Sequence, residues 1–126
     1  LNIKYKDYKK VVIFQPHTYS RTLSLITGFI ESLNLFDDIY IDKVFTSIRE
    51  PYSVEKEVLV EKKFSSFKKY KNFDKQLIGK KLLIVLLGAG NINKRFKEAY
   101  FIDEKNMKIF SFYSWKKRIF DVYYIM

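Results

Sequence analysis

The sequence predicts an α/β fold, with residues 1–126 forming a single domain, a three-layer sandwich whose mostly parallel sheet is flanked by helices. Three observations predict it. The runs Val11-Val12-Ile13-Phe14 and Leu82-Leu83-Ile84-Val85-Leu86-Leu87 are continuously apolar, as expected of strands covered on both faces. Each run passes through turn residues into a segment whose apolar side chains recur at helical spacing, so strands alternate with helices. The chain has 126 residues, 48% of them apolar, enough for one core, and no repeat, linker or low-complexity segment marks an internal boundary.

The first strand, 11–14, stops at Gln15-Pro16. From Ser20 onward Leu23, Ile26, Ile30 and Leu33 fall at offsets of 3, 7 and 10, one stripe of a helix capped by Thr18 or Ser20. Residues 39–45 read as a second strand, in which the polar pair Asp42-Lys43 points to a sheet edge or a ligand. Beyond Pro51, Ser53 caps a helix that turns Val54, Val58 and Leu59 inward and carries glutamates in its first turns, where they suit the helix dipole. Helical spacing returns over 67–77. The buried strand 82–87 ends at Gly88-Ala89-Gly90, where the backbone must turn sharply, and Asn91 caps a helix bearing Ile92, Phe96 and Tyr100. The tail, 107–126, has an apolar end and reads as an added final strand, an altered terminus or a surface for other domains.

Composition narrows the chemistry. With no cysteine there is no disulfide, thiolate metal site or cysteine nucleophile. The start, Leu1-Asn2-Ile3-Lys4-Tyr5-Lys6, lacks the apolar region of a signal peptide, and the longest apolar run, 82–87, is too short to span a bilayer. A cytoplasmic chain with no membrane partner is expected. The net charge of +10 invites a nucleic-acid reading. However, 20 of the 24 basic residues are lysines, spread in pairs along the chain, which favours a solvated surface. Phe64, Phe67, Tyr70 and Phe73 are interleaved with lysines and could stack bases, but spacings of three more often mark a buried face.

One stretch gathers chemistry: Phe14-Gln15-Pro16-His17-Thr18-Tyr19-Ser20-Arg21-Thr22 leaves the first strand and enters the first helix. It holds the chain's only histidine, at the carboxyl end of a strand, where open α/β sheets bind ligands. Arg21, one turn on, has a planar fork that can clamp a carboxylate with two hydrogen bonds. No nucleophile accompanies them, so anion binding is a better inference than a hydrolase triad, and no catalytic residue or metal ligand is assigned. The Gly88-Ala89-Gly90 turn is neither a Walker loop nor a dinucleotide fingerprint and reads first as a tight strand-to-helix turn.

These residues carry a specific resemblance. Val11-Val12-Ile13-Phe14-Gln15-Pro16-His17-Thr18-Tyr19-Ser20-Arg21-Thr22 resembles the signature of the C-terminal domain of the UDP-N-acetylmuramate L-alanine ligases, of the Mur ligase family. Val44-Phe45-Thr46-Ser47-Ile48-Arg49-Glu50 and Leu86-Leu87-Gly88-Ala89-Gly90-Asn91-Ile92 are similar to two further segments of that domain, in order, so the resemblance covers about residues 9–100.

The resemblance implies a Rossmann-like domain of a cytoplasmic ligase of peptidoglycan synthesis, which joins L-alanine to UDP-N-acetylmuramate through an acyl phosphate, using ATP and Mg2+. It implies that the UDP sugar and ATP are held by N-terminal and central domains, and that a third domain, the part resembled here, closes over both and helps to bind the amino acid. Carried over, His17 and Arg21 face the amino acid, while Thr18, Arg49, Gly88, Gly90 and Asn91 line the cleft. Asn91 stands where many relatives have aspartate. No phosphate loop or UDP-binding segment is present, so no cofactor and no turnover are expected of this chain alone. The alternatives are a basic nucleic-acid-binding module and a stand-alone α/β interaction domain.

Overall fold

The computed structural model describes residues 8–46, 48–77, 82–88, 91–100, 107–113 and 119–125. Its central strand is β1 (Lys9–Gln15), in which Val11, Val12 and Ile13 are wholly buried. β1 pairs in parallel with β2 (Asp38–Ile41) on one edge and with β4 (Leu82–Gly88) on the other. A two-residue strand, β3 (Lys68–Lys69), continues the parallel part beyond β2. On the far side of β4 lies β6 (Ile119–Ile125), antiparallel to it and to β5 (Met107–Tyr113). The order is β3-β2-β1-β4-β6-β5. This is the α/β fold the sequence predicts, with the tail supplying two antiparallel strands at one edge.

Strand alternation divides the buried side chains between two cores. Val11 and Ile13 of β1 and Leu82, Ile84 and Leu86 of β4 face one side, where Ile92, Phe96 and Tyr100 of α4 (Ile92–Tyr100) pack with Tyr70, Phe73 and Leu77. Phe73 is the hub of that layer, its ring 4.9 Å from Tyr40, 5.7 Å from Phe96 and 5.1 Å from Tyr100. Val12, Phe14, Leu83 and Val85 face the other side, against α1 (Tyr19–Ser24), α2 (Ile26–Leu33) and α3 (Val54–Lys63). There Phe14 meets Phe29 at 4.9 Å and the edge of Phe64 at 6.2 Å.

Four expectations are corrected. The single helix from Ser20 to Leu33 is two, α1 and α2, with a kink at Leu25 (φ −114°, ψ 14°). Ser24 Oγ donates to Arg21 O at 2.9 Å beside that kink, a side-chain bond that competes with the helical ladder. The second strand ends at Ile41 rather than Phe45; pairing resumes only as a bridge between His17 and Phe45, where the partner offset has grown from 27 residues to 28, as in a bulge. Val54, Val58 and Leu59 of α3 are not inward but 59%, 56% and 43% exposed. Val60 and Phe64 take the buried stripe, and at 3.6 residues per turn Val58 points about 160° away from Val60. Residues 67–77 hold β3 and two short 3-10 turns, Tyr70–Asn72 and Lys75–Leu77, instead of a helix, although Tyr70, Phe73 and Leu77 are buried at the expected spacing.

Among the described residues no helix is long and apolar enough to cross a membrane. At the amino end of β2, Asp38 accepts from Lys9 at 2.9 Å and Lys68 at 3.3 Å, joining three strands. Burial opposes ionisation of Asp38, but the hydrogen bonds from Lys9 and Lys68 outweigh it and hold its carboxyl below the usual aspartate value. The unfolded chain therefore binds this proton at higher pH than the folded one, so the stabilisation is complete above about pH 4 and is lost as pH falls through the lower folded value. Asp38→Asn is expected to melt below the unsubstituted chain at pH 7, with the gap closing below about pH 4 in thermal unfolding followed by circular dichroism.

Candidate functional site

The connections after β1 and β4 leave the sheet in opposite directions. α1 and α2, which follow β1, cover the face of Val12 and Phe14; α4, which follows β4, covers the face of Val11 and Ile13. The two strands are neighbours, and Gln15 is paired with Gly88 at their carboxyl ends. That is a topological switch point, the place in an open α/β sheet where a crevice forms. His17 and Thr18 lie beyond the end of β1, Phe45 beyond β2, and Gly88 and Asn91 at the end of β4 and the start of α4.

The turn out of β1 is tightly specified. Thr18 has φ 59° and ψ 148°, the one positive φ outside glycine among the described residues. A side chain in that region costs about 1–3 kcal/mol and persists only where the surroundings impose it. Here Phe45 N donates to Pro16 O at 2.7 Å, and Thr18 N donates to Phe45 O at 3.0 Å. On the helical side Thr18 Oγ1 caps α1 by accepting from Arg21 N at 3.3 Å, and Thr18 O accepts from the buried Thr22 hydroxyl at 2.6 Å. Glu50 completes the turn, with Oε1 accepting from Tyr19 N at 2.7 Å and Oε2 from Ser20 N at 3.0 Å.

The other expected residues are distributed around this turn. His17 is half-buried, with its ring stacked on Phe45 at 5.9 Å and 22°. Arg21 is exposed in the first turn of α1, and Arg49 is exposed next to Glu50. Asn91 is exposed, and its Oδ1 accepts from Gln15 Nε2 at 3.1 Å, so an uncharged residue links the start of α4 to the end of β1. Gly88 has a packing role: a Cβ there would lie 3.0 Å from Gln15 Cβ, 3.1 Å from Ile92 Cγ2 and 3.3 Å from Gln15 O. Gly90 lies outside the described residues.

Two features escaped the sequence reading. Glu50 has no local signal, because it caps a helix 30 residues earlier in the chain. Asp42, noticed only as polar, is 8% exposed and pairs with Arg95 of α4 at 2.5 Å, while the Arg95 guanidinium lies 5.8 Å from the centre of the Tyr70 ring. Burial, reinforced by the neighbouring Tyr100, pushes the Tyr70 hydroxyl up to about 12, so it stays protonated near neutrality. Phe64, Tyr70 and Phe73 belong to the two cores and offer no open faces to nucleic-acid bases. Among the described residues no three His, Cys, Asp or Glu side chains are grouped to hold a metal ion.

No protein-family model matches this chain, and no solved structure matches it. Curated relatives do. It is 37% identical over 100 residues to the UDP-N-acetylmuramate–L-alanine ligase of Pediococcus pentosaceus, a match covering 77% of this chain and 23% of the relative. The enzyme of the same name from Levilactobacillus brevis is 35% identical over 100 residues, covering 77% and 22%. That of Ligilactobacillus salivarius is 51% identical over 47 residues, covering 37% of this chain and 11% of the relative. The chain is thus related by sequence to a part of these ligases, and the 100-residue matches span less than a quarter of their length.

The close approach at the switch point gives a direct test of what Gly88 does. Gly88→Ala is expected to cost about 1–3 kcal/mol, because two of its three tight contacts are to the β1 backbone and Cβ, which cannot swing aside. Urea denaturation of the variant measures this.

Proposed function

From that kinship with the UDP-N-acetylmuramate–L-alanine ligases, we propose that this chain is the C-terminal, amino-acid-binding and closing domain of such a ligase and is inactive by itself. The observation that supports this most is that the stretch on which the sequence resemblance rests, with His17 and Arg21, leaves β1 at the switch point of the sheet. The reaction needs an amine aimed at an activated carboxyl group, and holding the amino acid's own carboxylate fixes that aim. Arg21 is the residue assigned to hold it, in a two-pronged hydrogen bond. His17, braced against Phe45, borders the amino-acid pocket, and Thr18, Arg49, Gly88 and Asn91 line the cleft.

Orientation of this kind raises the effective concentration of the nucleophile and needs no proton transfer from this chain. ATP and Mg2+ belong, in this proposal, to the N-terminal and central domains, as does UDP-N-acetylmuramate. The described residues supply no cluster fit to hold the metal, so no step here runs through it. The proposed location is cytoplasmic, with the partner domains and L-alanine as the contacts of the site.

Mixing this chain with the N-terminal and central domains of the Pediococcus pentosaceus enzyme is expected to give alanine-dependent phosphate release. Arg21→Ala should lower kcat/KM for alanine by about 10- to 100-fold, the worth of a charge-assisted hydrogen bond, with the circular dichroism spectrum unchanged. A mixture with the unsubstituted chain that releases no phosphate on addition of alanine overturns the proposal.

A further inference from the structure

The turn that carries His17 and Arg21 is held from both sides by the segment that follows β2. Phe45 brackets its strand side through Pro16 O and Thr18 N, and Glu50 brackets its helix side through Tyr19 N and Ser20 N. We infer that Glu50 is the positioning residue of this site: its carboxylate locks the Thr18 turn and takes the amides at the start of α1, leaving an incoming amino acid's carboxylate to the Arg21 side chain. This rests on the proposed function, and it adds a residue to which neither the sequence reading nor the kinship gave a role.

First, the amides at the start of a helix have no partner within it and are the usual docking place for an anion. In α1 those of Tyr19 and Ser20 are bound by Glu50, and that of Arg21 by the Thr18 hydroxyl. An outside carboxylate would have to displace a carboxylate already tethered to the chain. Second, Thr18 holds a conformation that a side chain resists, so the turn keeps its shape only while both sides are gripped. Without Glu50 the strand-side grip of Phe45 and the bonds within the Thr18–Thr22 turn remain, but the amides of Tyr19 and Ser20 lose their acceptor, and the first turn of α1, with Arg21 on it, is held less firmly. Third, a positive charge beside the turn supports the clamp instead of competing with it. Lys56 donates to Ser20 Oγ at 2.8 Å, and its positive charge also favours the ionised form of Glu50.

The test uses Glu50→Gln, which keeps the size and one acceptor oxygen but places an NH2 group against an N–H donor. In the chain alone, nuclear magnetic resonance is expected to show amide exchange at Tyr19 and Ser20 accelerated roughly tenfold or more, while residues 11–14 and 82–87 stay protected. In the reconstituted ligase KM for L-alanine should rise by about tenfold, with kcat changed less than about threefold and KM for ATP unchanged. Glu50→Asp, which can reach one amide but not both, should recover part of the loss in both measurements. Unchanged exchange at Tyr19 and Ser20 overturns the clamp. Accelerated exchange with an unchanged alanine KM overturns the positioning role. If the unsubstituted mixture fails to use alanine, the ligase reading falls, and the exchange measurement still decides whether Glu50 locks the turn.

Discussion

Seven residues of β1 pair in register with β4 and four of them with β2, so the central strand spends its backbone on both edges while its side chains fill both cores. Burying Val11, Val12, Ile13 and Phe14 contributes about 1.5–3 kcal/mol for each side chain. That total exceeds the roughly 1–3 kcal/mol held in the backbone of Thr18. The comparison explains why a conformation resisted by any residue with a side chain survives at the end of this strand. β1 cannot shift to relieve it without exposing one core or the other, since a slip of one residue would send every side chain to the opposite face.

β2 is fixed by different means, being only four residues long, with Tyr40 alone fully buried. A carboxylate stands at each end of it: Asp38 between Lys9 and Lys68 at the amino end, and Asp42 against Arg95 just past the carboxyl end. The two are not equivalent. Lys9 and Lys68 are 45% and 59% exposed, and pairs of that kind contribute little individually. The Asp42 side chain is 6% exposed, so its charge would be costly without a partner. The Asp42 pair therefore does more to set the distance between the end of β2 and α4, on the side of the switch point away from α1.

How much of this was legible follows from how local each cause is. β1 and β4 were readable because continuous apolar runs have one good home, a strand covered on both faces. The turn between β1 and α1 was readable as a place because a proline and a capping threonine, Pro16 and Thr18, stand two residues apart in sequence. The face of α3 was misread because Val54 and Val58 keep helical spacing, and only the position of Phe14 in the opposite layer selects Val60 and Phe64 over them. The break at Leu25, where the backbone leaves helical angles beside the Ser24–Arg21 side-chain bond, leaves no mark on the apolar spacing. Glu50 and the Asp42–Arg95 pair join residues 30 and 53 positions apart, so no reading of neighbours could have found them.

The groups that could hold an anion at this edge of the sheet differ in what already binds them. Of the four arginines, Arg118 lies outside the described residues and Arg95 is committed to Asp42. Arg49 sits beside Glu50 in the segment that clamps the turn, whereas Arg21 stands in the turn's own first helical coil, three residues beyond Thr18. Lysines are abundant, but an ammonium on a flexible stem is a strongly hydrated point charge without a planar fork. The position of the Arg21 backbone is therefore set by the constraints on Thr18, Tyr19 and Ser20, while its guanidinium remains at the surface. A side chain placed in this way can meet a carboxylate without first giving up a bond that the fold requires, and this is what separates Arg21 from Arg95.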